Sequence, residues 1–67
     1  MTPKIGMRLK SLRKKRKLTR YALAQRAGLS RVHVKRLEEG QQSPTIDTVQ
    51  RLAKALNVSL AELLGIR

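Results

Sequence analysis

One short segment carries most of the usable side-chain chemistry: Arg31, Val32, His33, Lys35 and Arg36. If residues 31–39 form a helix, Val34 and Leu37 lie three apart and make an inward seam. The five named residues then share the outward face. Val32 and Val34 are two apart and cannot both turn inward, so Val32 belongs outside. This face holds two guanidinium forks, an ammonium, an imidazole and one branched apolar tip, with no carboxylate among them. Such a set recognises arrays of acceptors and anions; it does not break bonds. The rest of the chain supplies little else for catalysis. There is one His, no Cys, and only four acids in 67 residues. His33 has no acid nearer in sequence than Glu38, which argues against a general base or a metal ligand. No catalytic residue, metal or cofactor is expected.

The charge agrees with that chemistry. Sixteen Lys and Arg against four Asp and Glu give a net charge of +12. Residues 1–37 contain thirteen of the cations and no acid. Residues 38–67 contain Arg51, Lys54 and Arg67 against Glu38, Glu39, Asp47 and Glu62. A field confined to one half implies a binding surface for a polyanion. With 40% hydrophobic residues the chain is not a disordered basic tail. No apolar run approaches the ~20 residues of a membrane span, and the start lacks the apolar segment of a signal peptide. A cytoplasmic, thiol-independent protein is expected.

Five short helices are needed to hold these side chains. The first starts after Pro3, with Ile5, Leu9 and Leu12 on one stripe. Gly6 weakens its first turn, and the run Arg13–Lys17 ends it. The second spans about Arg20–Ala27, with Thr19 as N-cap, Leu23, Ala24 and Ala27 inward, and Gly28 as the stop. The third spans Arg31 to about Glu39, capped by Ser30 and stopped by Gly40. The fourth follows Pro44, with Thr45 as cap and Ile46, Val49, Leu52, Ala53 and Leu56 as an inward face. The fifth is opened by the Ser59–Glu62 capping box and carries Leu60, Leu63 and Leu64. Asp47 and Glu62 sit in first turns, where they suit the helix dipole. No segment alternates like a strand. The expectation is an all-α domain over 1–67, with loops of three to five residues.

Within it, residues of about 19–39 form two capped helices joined by Ala27-Gly28-Leu29-Ser30. A short turn containing Gly between two such helices is the helix-turn-helix unit. Its second helix enters the DNA major groove and meets base edges with its N-terminal residues. Arg31 could then take guanine through two hydrogen bonds, and Val32 could meet a thymine methyl.

These residues resemble a known family. The pattern Arg8-Leu9-x-x-Leu12-Arg13, Leu18-Thr19, Leu23-Ala24, Ala27-Gly28-Leu29-Ser30, Leu37-Glu38-x-Gly40, Pro44 and Leu52-Ala53-x-Ala55-Leu56 looks like the lambda-repressor-like, Cro/C1-type (XRE) helix-turn-helix DNA-binding domains. The resemblance covers roughly residues 5–65. It implies a five-helix domain binding double-stranded DNA, commonly as a two-fold dimer, and a small prokaryotic or phage transcriptional regulator, most simply a repressor. It implies that Arg31, Val32 and Arg36 read bases, with His33 and Lys35 beside them. It implies phosphate contacts from Arg20, where the family commonly has Gln, and from Gln41, Ser43 and Thr45 in the following loop. Arg13 and Glu38 match a structural salt bridge between helices one and three. Tyr21, Val32 and His33 depart from the family's usual small or polar residues, which leaves the recognised sequence open.

Several positions admit two readings. The run Arg13–Lys17 is either a nuclear localisation signal or a solvated, phosphate-facing helix end; the second is preferred because Arg13 is taken up by Glu38, and Lys14, Lys15, Arg16 and Lys17 then raise affinity without reading sequence. Tyr21 either covers a core edge or donates its hydroxyl to phosphate. Leu60, Leu64 and Ile66 are core or a dimer contact through helix five and the tail. At the level of function, an antitoxin that binds DNA beside a toxin partner and a non-specific nucleoid-type binder compete with the specific regulator. A basic amphipathic segment acting on anionic membranes is disfavoured, because the apolar stripe of residues 4–20 is needed for the core and no Trp or Phe anchors an interface.

Overall fold

The computed structural model describes residues 5–65 and is all helical among them: α1 (Ile5–Lys15), α2 (Arg20–Ala27), α3 (Arg31–Glu38), α4 (Ile46–Leu56) and α5 (Leu60–Leu64). Pro3 and Ile66 lie outside the described residues. The inner helices begin at the hydroxyl residues that their sequence marks. Thr19 accepts from the Ala22 amide at 3.0 Å, Ser30 from His33 at 3.0 Å, Thr45 from Thr48 at 3.2 Å, and Ser59 from Glu62 at 2.9 Å. Each bond satisfies one of the amides that a helix start leaves orphaned, worth about 1 kcal/mol.

The core is small and almost entirely aliphatic. Leu9, Leu12, Leu23, Val34, Leu37, Val49, Leu52, Leu56 and Leu63 are buried, with Ala24, Ala27 and Ala53 where helices approach. Helix α2 is central: it packs on α3 along one flank and on α4 along the other. Helix α1 packs on α3 and α5, and α5 closes on α4. Two glycines make this packing possible. Gly6 lies inside α1 against the end of α3, where an added Cβ would collide with the Leu37 carbonyl oxygen and come within 2.9 Å of that of Glu38. The residue that weakens the first turn of α1 is thus the one that lets α1 touch α3. Gly28 ends α2 at φ 70°, so the chain reverses into α3 within three residues.

Two expectations need correction. Ile46, placed on the inward face of α4, is 66% exposed. It is the first residue of α4, beyond the edge of the core, and Thr48 is buried instead, bonded to Thr45 through its hydroxyl at 3.0 Å. Helix α3 ends at Glu38, one residue early, with Glu39 as its C-cap, so the connection to α4 spans 39–45 and exceeds the expected loop length. On α5, Leu63 is fully buried and the half-buried Leu60 and Leu64 pack against the same core, which agrees with the apolar face expected for this helix.

Candidate nucleic-acid interface

Helix α3 is divided lengthwise. Val34, Leu37 and Glu38 are buried, while Arg31, Val32, Lys35 and Arg36 are exposed and His33 is half-buried. Val32 is 52% exposed, an unfavourable place for a branched apolar side chain unless something covers it. The N-terminal half of α2 stands beside this face. Arg20 of α2 and Arg31, Val32 and Lys35 of α3 line one shallow concavity. The acid within α3 itself is neutralised. The Glu38 side chain is fully buried; its Oε2 accepts from Arg13 Nε at 2.6 Å, and its Oε1 accepts from Arg13 Nη2 at 3.1 Å and Arg20 Nε at 2.9 Å. Arg13 Nη1 also donates to the Leu18 carbonyl at 2.8 Å, which ties the end of α1 to the entry of α2. One carboxylate therefore locks three helices together and carries a net +1 with its two guanidinium partners. Among the exposed α3 residues Arg31, Val32, Lys35 and Arg36 there is no carboxylate, and the exposed Glu39 sits just past them at the C-cap.

The other residues named from the sequence are arranged around this centre. Lys17 follows α1 in a left-handed conformation, φ 57°, and is exposed. Tyr21 is 56% exposed, and its hydroxyl accepts from Gln25 Nε2 at 2.8 Å. Gln41 and Ser43 are exposed in the loop after α3, where the Gln41 amide donates to the Arg36 carbonyl at 2.9 Å. The Thr45 hydroxyl is engaged twice with Thr48, as the α4 cap. Arg20 does two things: its Nε donates to Glu38, and its side chain, 28% exposed, lines the concavity beside α3 with the rest of its guanidinium. The bond to Glu38 is not indicated by any local spacing, although Glu38 is the first acid in the chain and every Arg before it competes for it. A second basic surface escaped the sequence reading. Arg26 of α2 and Arg51 and Lys54 of α4 line a cleft on the other flank of α2.

Among the described residues no group of His, Cys, Asp and Glu could hold a metal ion, and no helix is long and apolar enough to cross a membrane. Every buried side-chain polar atom among them has a hydrogen-bond partner, so none is held in reserve for a small ligand.

The arrangement recurs in known proteins. An immunity repressor protein of Bacillus phage phi105 is 36% identical over 61 residues, 91% of this chain and 42% of the relative, so the chain spans less than half of that protein. The restriction–modification controller protein C.AhdI of Aeromonas hydrophila superposes with a TM-score of 0.89 at 35% identity, covering 92% of this chain and 94% of the other. The P22 c2 repressor, solved in complex with a synthetic operator, superposes with a TM-score of 0.83 at 33% identity, covering 90% and 91%. The family model described as helix-turn-helix matches residues 9–63, from the first buried leucine of α1 to the last of α5, and the chain belongs to that family.

Proposed function

We propose that this domain binds double-stranded DNA sequence-specifically and regulates transcription, most simply by repression. The observation that carries the reading is the outer face of α3: Arg31, Val32, Lys35 and Arg36 are exposed together, with no carboxylate among them, on a helix whose opposite face is locked into the core. The major groove is about 12 Å wide and accepts one such helix. Arg31, at the first turn, reaches guanine O6 and N7; Val32 meets a thymine methyl; Arg36, Lys35 and His33 complete the reading of four or five base pairs. Lys17, Arg20, Tyr21, Gln41 and Ser43 hold phosphates on either side and set the register. The similarity to a repressor solved on its operator supports the same docking. Two copies would place their α3 helices about 34 Å apart on one face of the duplex, joined through the half-buried Leu60 and Leu64 of α5. A dimer covering both half-sites represses by occluding polymerase, in the cytoplasm, on the nucleoid.

The test is selection of duplexes from a random library, followed by fluorescence anisotropy against salt. A palindromic consensus with half-sites about one turn apart is expected, with Arg31→Ala relaxing the preference at a single position. Tight, steeply salt-dependent binding without any consensus would refute specific recognition and leave a backbone binder.

A further inference from the structure

The second basic surface is not used by α3. Its cleft runs between the C-terminal end of α2 and the C-terminal half of α4, with Gln25, Arg26 and Gly28 on one side and Arg51, Lys54 and Asn57 on the other. Its floor is Ala27 and Ala55. It shares no residue with the concavity of the proposed DNA face. Arg26 lies six residues beyond Arg20 on α2, about 9 Å along the axis at the helical rise. Helix α4 has 11 residues and runs about 16 Å away from the 39–45 loop, so its last turns stand at the far end from that loop.

One of these cations, Arg51, is oriented by its neighbours. Arg51 Nε donates to Asp47 at 3.0 Å, and its Nη1 lies 3.3 Å from the position of a Cβ on Gly28. The guanidinium therefore rests against the turn of the helix-turn-helix. Arg16, from the end of α1, donates to the Asn57 carbonyl at 3.3 Å at one end of the cleft. No acid lines the cleft.

We propose that this cleft docks an acidic segment of a protein partner, whose carboxylates pair with Arg26, Arg51 and Lys54 while its side-chain stems rest on Ala27 and Ala55. Three features select this occupant. Cations on both lips ask for negative charge, and the Arg forks suit carboxylates bidentately. The cleft is only one to two helical turns long, which fits a few side chains; duplex binding spreads its contacts over many successive phosphates. A second copy of this chain cannot supply the segment, because of its four acids Glu38 is buried, Asp47 is paired, and Glu39 and Glu62 are isolated. The proposal rests on the DNA-binding reading only in expecting the cleft to stay open on DNA.

The test titrates ¹⁵N-labelled protein with a capped hexaglutamate peptide at 0.15 M salt, free and bound to its selected duplex. Amide shifts are expected at Gln25, Gly28, Arg51, Lys54 and Asn57 in both states. Arg51→Gln/Lys54→Gln should weaken the peptide at least fivefold while duplex affinity changes less than about twofold, since charges beyond ~8 Å are screened at that salt. Shifts concentrated on Arg31–Arg36 or Lys14–Lys17, or abolished by duplex, would overturn the proposal. So would cleft shifts produced by excess duplex, which would make nucleic acid the occupant. Failure of the DNA reading shows separately, as duplex that leaves the α3 amides unmoved.

Discussion

Removing the charge of Glu38 tests what holds α3 in place. In Glu38→Gln the shape is kept, but Arg13 and Arg20 face a neutral amide. The carboxylate is fully buried, with Arg13 only 10% and Arg20 28% exposed, so solvent screens the change little. Breaking a buried pair by removing one partner costs about 3–5 kcal/mol. At about 0.05–0.15 kcal/mol per residue, a domain of 67 residues holds roughly 3–10 kcal/mol in all. Glu38→Gln should therefore remove a large share of the stability, or all of it at the low end of that range. Arg20→Ala should cost less, about 1.5–3 kcal/mol for one charged hydrogen bond, because Glu38 keeps both bonds from Arg13. The two changes must be coupled, since they remove the same bond. Urea unfolding followed by circular dichroism, with an osmolyte present in every arm to keep Glu38→Gln folded, gives the double-mutant cycle. A coupling energy of about 1 kcal/mol or more is expected. If the two costs add within about 0.5 kcal/mol, as for independent sites, the reasoning about a shared carboxylate is wrong.

Other outcomes follow from single contacts. Gly6→Ala gains up to about 1 kcal/mol of helix propensity but drives a Cβ into the α3 carbonyls, which costs about 1–3 kcal/mol of overpacking, so the unfolding free energy from urea titration should fall by the difference. Lys17→Gly relieves a left-handed residue and should raise stability by up to about 1 kcal/mol; if Lys17 also holds a phosphate, the logarithmic salt slope of DNA binding drops by about 0.9. Val32→Ala should leave thermal stability within about 0.5 kcal/mol, being half exposed, yet weaken binding to the selected duplex at one thymine; a loss of stability without a loss of preference would place Val32 in the fold and not at the groove.

Much of this protein is written locally. Thr19, Ser30, Thr45 and Ser59 mark four helix starts because a hydroxyl at an N-cap meets an amide only three residues on. The Val34–Leu37 seam sets which side of α3 faces out, because helical periodicity converts spacing into direction. The absence of acids before Glu38 separates the basic half from the rest. Tertiary structure decided what depends on distance along the chain. Glu38 meets Arg13 across 25 positions and Arg20 across 18, and no spacing rule spans either; family resemblance implies the Arg13 pairing, and only the packed helices bring Arg20 to the same carboxylate. Ile46 fits the stripe of α4 by period, but the core ends before it. Gly6 is a weak helix residue until α3 is laid across it. The cleft of Arg26, Arg51 and Lys54 exists only because α2 packs on α3 with one flank and on α4 with the other, which brings together cations that local periodicity leaves on separate helices.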